Sequence, residues 1–223
     1  MTKPLKLVMF DCDGTLADSH AFLVRVAKES FAHVGATVPL ESRMNDFLSM
    51  TFEDFFKTLD EHMTGDQLQK AYDHMRATLV NERDSGAIVE PVYDGIKEML
   101  ETLYAQDYLL GVATNKQAHG LAAVLKTNGI DRYFVTLQNT SNSATKPSPD
   151  MILNAMAATG ADCKDTVLVG DSAIDIQTGK NAGVKVIGVT WGSLSEDKIL
   201  AAGADCLART PAEVVDRVRE LLA

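Results

Sequence analysis

The sequence is poor in cysteine and in positive charge, and it lacks long apolar runs. Its three cysteines, Cys12, Cys163 and Cys206, form no CxxC pair and no disulfide framework, which predicts a reducing compartment such as the cytoplasm. Lys and Arg number 21 against 31 Asp and Glu, and the net charge of -10 argues against nucleic-acid and membrane partners. The apolar stretch that ends at Phe10 is too short for a signal-peptide core or a membrane span.

What is present is a chain of ordinary composition with short, regularly placed apolar runs. The 223 residues are 46% hydrophobic and 23% charged, which is typical of a folded protein of one domain, or of a core with a smaller insert. Near-continuous runs rich in Val, Ile and Leu lie at 5–10, 109–114, 166–170 and 185–190, with a weaker candidate at 133–137. Such runs predict strands that are buried on both faces. Helical patterns between them predict an α/β fold with a doubly wound parallel sheet.

One long segment interrupts this alternation of strands and helices. Residues 17–86 contain no convincing strand, and their apolar residues repeat with helical spacing around Phe31, Phe55 and Met75. We therefore expect an inserted all-helical domain over residues 17–86. The α/β core would be formed by residues 1–16 and 87–223.

Two aspartates follow the first predicted strand. Asp11 and Asp13 are two residues apart, so their carboxylates can share a face, and close carboxylates raise each other's pKa unless a cation lies between them. The pair suits a hard metal ion, with one nucleophile and one acid-base group. Taken alone, the cluster also fits a loop whose aspartates cap a helix.

Three further polar clusters lie at or near the ends of other predicted strands. Thr114 and Asn115 can hold phosphate oxygens, and Lys146, before a rigid Pro-x-Pro turn, can reach a phosphoryl group. Asp171 and Asp175 are one helical turn apart. Each cluster alone also fits a turn, an exposed lysine or a helix cap. Together they favour a site for Mg²⁺ and a phosphoryl group, because open α/β sheets bind ligands at the carboxyl ends of their strands.

The ordered set DxDGTL, TN, KP and GDSxxD resembles the haloacid dehalogenase-like phosphatases over essentially the whole chain. The segments VYDGIKEMLETL and VKVIGVTWG are similar to phosphoglycolate phosphatase-like members. The helical insert resembles the cap that follows the first strand in one subfamily. The resemblance implies a Rossmann-like core, Mg²⁺ as cofactor and a small phosphorylated metabolite as substrate.

The resemblance also implies a role for each motif residue. Asp11 would be the nucleophile of a phosphoric monoester hydrolase and a Mg²⁺ ligand, and it would become transiently phosphorylated. Asp13 would be the general acid-base, with its backbone carbonyl on the metal. The remaining implied roles are phosphate binding by Thr114, Asn115 and Lys146, neutralisation of nucleophile and phosphate by Lys146, and metal binding by Asp171 with support from Asp175.

The cap departs from the relatives, in which an Arg is often followed by I-G-x-S-L. Here Arg43 is followed by FLSMTF, and Ser49 replaces the usual Gly. We expect 2-phosphoglycolate as the leading substrate, with Arg43 as donor to its carboxylate, although Arg43 could instead pair with Glu41. Phosphatases of sugar or nucleotide monophosphates, a β-phosphoglucomutase-like phosphomutase and a non-catalytic binding protein are the alternatives. The sequence leaves the oligomeric state open.

Overall fold

The structure, a computed structural model, describes residues 4–45, 47–48, 50–86 and 90–223. The chain divides into two compact units, Met1–Asp18 with Pro91–Ala223, and Ser19–Glu90. The expected second boundary, at residue 87, and the expected departure at Ser49 lie outside the described residues. None of the helices in the described ranges combines the length and the apolar character that crossing a bilayer requires.

The unit Ser19–Glu90 is built from helices. They are α1 (His20–His33), α2 (Glu41–Asn45), α3 (Phe52–Leu59) and α4 (Gly65–Asp84). Phe31, Phe55 and Met75, around which the sequence shows helical spacing, lie on α1, α3 and α4, and the short α2 is additional. Their core contains Phe31, Phe55 and Phe56, with ring centroids of Phe31 and Phe56 4.9 Å apart. Thr64 and Gln67 form a capping box that fixes the start of α4.

The larger unit contains a parallel sheet. Its strands are β1 (Leu7–Phe10), β2 (Leu109–Ala113), β3 (Phe134–Gln138), β4 (Thr166–Gly170), β5 (Lys185–Val189) and β6 (Cys206–Ala208). Their order across the sheet is β3-β2-β1-β4-β5-β6, and every pair is parallel. The five predicted strands are confirmed within one or two residues at each end. The edge strand β6 was not predicted, because it has only three residues and no apolar run.

Helices cover both faces of the sheet, so the doubly wound α/β prediction is correct. They are α5 (Ile96–Ala105), α6 (Ala118–Asn128), α7 (Asp150–Thr159), α8 (Ala173–Ala182), α9 (Glu196–Ala202) and α10 (Pro211–Leu221). Val8 and Phe10 of β1 pack into the cluster formed with α5, α6 and α10, whereas Leu7 and Met9 pack into the cluster formed with α7. Burial on both faces explains why β1 is continuously apolar.

The strand order reverses between β1 and β4. The chain runs outward from β1 to β3 and then returns to place β4 on the other side of β1. Such a reversal leaves a crevice at the carboxyl ends of the two central strands, where ligands bind in open α/β sheets. Asp11 follows β1, and its backbone N–H extends the ladder by donating to the carbonyl of Val169 at 2.9 Å. Asp171 follows β4 directly.

Candidate active site

The structure brings three of the expected carboxylates together at this crevice. Asp11, Asp171 and Asp175 are buried, and their oxygens lie within 4.8 Å of one another. The loop after β1 turns at Gly14, whose φ of +82° is a left-handed conformation that favours glycine. A side chain at Gly14 would also collide with the Asp171 carboxylate, so this glycine lets the ends of β1 and β4 approach each other.

Lys146 joins two of these carboxylates. Its Nζ donates to Asp11 Oδ1 at 2.8 Å and to Asp175 Oδ1 at 2.6 Å, and its side chain is 2% exposed. Burial by itself would lower the pKa of Lys146, but the neighbouring Asp11 and Asp175 raise it above its usual value. The side chain is therefore an ammonium ion. Its backbone N–H donates to Asn115 Oδ1 at 2.9 Å, so Asn115 helps to place it.

Asp171 is held from two sides. Thr15 Oγ1 donates to its Oδ1 at 2.9 Å, and the backbone N–H of Ser193 donates to its Oδ2 at 2.8 Å. The Ser193 hydroxyl also donates to that Oδ2. Trp191 contributes indirectly, because its Nε1 donates to the Thr15 carbonyl at 3.1 Å. These contacts fix the orientation of the carboxylate toward the cluster.

Asp175 uses its two oxygens for different purposes. One accepts from Lys146, and the other accepts from the Ser172 hydroxyl at 2.6 Å and from the Ser172 backbone N–H at 3.1 Å. The Asp175 N–H donates back to the Ser172 hydroxyl, which completes a capping box at the start of α8. The helix cap and the lysine contact are thus made by the same side chain.

Asp13 lies beside a lysine that sequence reasoning missed. Lys116 Nζ donates to both Asp13 oxygens, at 2.7 Å and 3.0 Å, and its side chain is 8% exposed. Lys116 follows Thr114 and Asn115 in the loop after β2, and its backbone N–H donates to Thr114 Oγ1 at 3.2 Å. The sequence could have indicated this lysine, because β1 and β2 are parallel and the loop after β2 leaves the sheet at the same edge as Asp13.

The charges of the cluster indicate that a cation belongs there. Burial, followed by the charges of Asp175 and Asp171, raises the pKa of Asp11 to about 8, although Lys146 acts to lower it. Burial together with two neighbouring carboxylates makes the Asp11 anion costly, and a cation beside it would offset that cost. The buried group consists of carboxylates alone, which are hard oxygen ligands suited to Mg²⁺. The residues therefore fit the expected metal.

Arg43 lies on α2 in the helical unit and is exposed. Its Nη2 donates to the Thr58 carbonyl over a long 3.4 Å. Glu41, the surface partner considered for it, accepts from Lys28 Nζ at 2.7 Å. The guanidinium thus keeps an exposed position, and its expected contact with a substrate carboxylate stays a prediction.

Comparison with known proteins supplies independent observations. A family model described as haloacid dehalogenase-like hydrolase matches residues 8–189. "Probable phosphatase IndB" of Dickeya dadantii is 35% identical, over 97% of this chain and 94% of that protein. "Pyrophosphatase PpaX" of Halalkalibacterium halodurans is 31% identical, over 96% of this chain and 97% of that protein.

Solved structures share the fold. The crystal structure of a predicted phosphatase from Clostridium acetobutylicum has a TM-score of 0.84 and 25% identity, covering 98% of this chain and all of that chain. A predicted phosphoglycolate phosphatase from Haemophilus somnus has a TM-score of 0.83 at 24% identity, covering 97% and 99%. The second of these similarities concerns the fold alone.

Proposed function

This chain belongs to the haloacid dehalogenase-like hydrolases, and we propose that it is a Mg²⁺-dependent phosphatase with Asp11 as its nucleophile. The observation that supports the proposal is the buried group of Asp11, Asp171 and Asp175 around Lys146. This group lies where the strand order of the sheet reverses. Phosphoryl transfer depends on positioning and on charge stabilisation. A buried ammonium ion among carboxylates that would bind a divalent cation supplies both.

In the proposed mechanism Asp11 attacks phosphorus in line and forms an aspartyl-phosphate. Lys146, 2.8 Å from Asp11, offsets the repulsion between the nucleophile and the phosphate. Asp13 donates a proton to the leaving oxygen and later accepts one from the water that hydrolyses the intermediate. Thr114 and Asn115 would contact the phosphate oxygens.

The proposed metal site uses Asp11, Asp171 and the backbone carbonyl of Asp13, with Asp175 in support. When bound, Mg²⁺ would neutralise negative charge and orient the phosphoryl group. We further propose that Ser19–Glu90 acts as a cap that selects the leaving group and excludes bulk water during the reaction.

For the substrate we propose a small phosphorylated metabolite, with 2-phosphoglycolate as the first candidate. Arg43 supports this choice, because an exposed guanidinium offers a pair of donors for a carboxylate. The 31% identity with a pyrophosphatase makes pyrophosphate the second candidate. Sugar and nucleotide monophosphates are weaker alternatives. We also propose the cytoplasm as the compartment. The three cysteines support this, because they are free thiols.

The test is phosphate release from 2-phosphoglycolate, pyrophosphate and an aryl phosphate, with Mg²⁺ and with EDTA. We expect release in Mg²⁺, loss of release in EDTA, and recovery when Mg²⁺ is restored. Asp11→Asn should abolish turnover, because an amide is a poor nucleophile and a poor ligand, whereas Asp162→Asn at an exposed position should not. Turnover by Asp11→Asn, or full activity in EDTA, would overturn the proposal.

A further inference from the structure

Lys116 is a buried cation to which the proposed mechanism gives no task. Its side chain is only 8% exposed. Taking an ammonium ion out of water is costly unless it is paired, and the Asp13 carboxylate is one of its partners. The position of this ammonium ion next to Asp13 indicates which part of a substrate it can contact.

Asp13 fixes where the ammonium lies. To protonate the leaving oxygen, Asp13 must approach it to about 3 Å. Lys116 Nζ is 2.7 Å and 3.0 Å from the two Asp13 oxygens, so it lies within roughly 6 Å of the leaving oxygen. Lys146, in contrast, contacts Asp11 and Asp175, on the nucleophile side. Lys146 thus lies beside the proposed nucleophile, and Lys116 lies beside the proposed acid-base residue.

The contact between Lys116 and Asp13 must loosen when substrate binds. Both Asp13 oxygens accept from Lys116, yet one of them has to face the leaving group. An ammonium ion has three donors and can keep one contact with Asp13 while it donates to another acceptor. A negatively charged leaving group is a stronger acceptor for that donor than a neutral one, because hydrogen bonds between charged groups are the strong ones.

We propose that Lys116 is a specificity-determining residue that selects substrates whose leaving group is negatively charged. The inference rests on the acid-base role proposed for Asp13. The leaving group can be glycolate, which carries a carboxylate, as in 2-phosphoglycolate, or a phosphate, as in pyrophosphate. The charged oxygens of either group are two or three bonds from the oxygen that Asp13 would protonate, which is within reach of the Lys116 ammonium.

The test compares 2-phosphoglycolate with 2-hydroxyethyl phosphate, which differ only in a carboxylate against a hydroxymethyl group. Pyrophosphate forms a third arm. Lys116→Met should lower kcat/KM for the anionic substrates roughly 10-fold to 100-fold more than for 2-hydroxyethyl phosphate. Lys116→Arg should recover part of that difference. Lys126→Met removes one exposed lysine from α6 and is the matched control, with no change expected.

The outcomes separate the inference from the proposed function. A wild-type protein that hydrolyses none of the three compounds in Mg²⁺ defeats the proposed function itself. If the wild type is active, an equal loss on charged and neutral substrates would mean that Lys116 only positions Asp13, and the inference is wrong. Unchanged kcat/KM of Lys116→Met on every substrate would also contradict the inference. A selective loss for one anion identifies the carboxylate or the phosphate as the group bound. If Lys116→Met fails to fold, Lys116→Gln gives the same comparison.

Discussion

Replacing the proposed nucleophile should stabilise the metal-free protein at alkaline pH while it removes activity. The pKa of the buried Asp11 carboxyl is raised to about 8, chiefly by burial and then by Asp175 and Asp171. Ionising Asp11 in the absence of a cation therefore costs free energy in the folded state. Asn at this position keeps the shape of the side chain and cannot ionise.

The direction and the size of this change in the free energy of unfolding follow from proton linkage. Between the usual carboxyl value near 3.8 and about 8, the folded state holds a proton on Asp11 that the unfolded state has lost. The stability from this group is complete below the lower value and is lost as pH rises through the higher one, by up to about 1.4 kcal/mol per pH unit. From pH 6 to pH 8 the advantage of Asp11→Asn over wild type should grow by about 2 kcal/mol.

The assay is chemical unfolding in EDTA at pH 6 and pH 8, with the free energy of unfolding compared between variant and wild type at each pH. Titrating groups outside this cluster are common to both proteins and cancel in the difference. Asp162→Asn, at an exposed position, should show no such growth. Mg²⁺ should reduce the effect, because a cation beside Asp11 favours its anion. A difference that is equal at the two pH values, or larger at pH 6, would refute the reasoning.

Two further predictions concern the neighbours of the proposed nucleophile. Asp13→Asn should lower kcat roughly 10²-fold to 10⁴-fold on an alkyl phosphate and less on nitrophenyl phosphate, whose leaving group needs little protonation; equal losses in steady-state assays would contradict an acid role. Ser193→Ala removes a donor from Asp171 and should weaken Mg²⁺ binding roughly 10-fold, measured as the Mg²⁺ dependence of the melting temperature. Ser195→Ala, at an exposed helix start without a side-chain cap, is its control, and an equal response of both variants would count against the prediction.

The sequence predicts the fold well where burial dictates the residue pattern. β1, β2, β4 and β5 are buried on almost every residue, so their apolar runs are visible without any alignment. β6 and α2 are short, and elements of three and five residues carry too little periodicity to recognise. β6 pairs with β5, and α2 contributes Met44 to the core of the helical unit.

The candidate site was predictable only in part, because its contacts join distant segments. The acids at the ends of β1 and β4 can be found from strand ends, since parallel strands bring their carboxyl ends to one edge. The contact of Lys116 with Asp13 spans 103 residues and depends on the path of a loop. The same holds for Ser193 and Asp171, which are 22 residues apart. Neither spacing carries a periodic signal.

The Asp175 side chain shows why each motif alone could be interpreted in two ways. As a helix cap, it needs one oxygen near the Ser172 hydroxyl and N–H; as a site residue, it needs one oxygen near Lys146. A carboxylate has two oxygens and can satisfy both requirements. The cap fixes the rotamer, and the fixed rotamer places the second oxygen 2.6 Å from a buried ammonium. The capping box is therefore the device that positions the charge, and the two interpretations describe one structure.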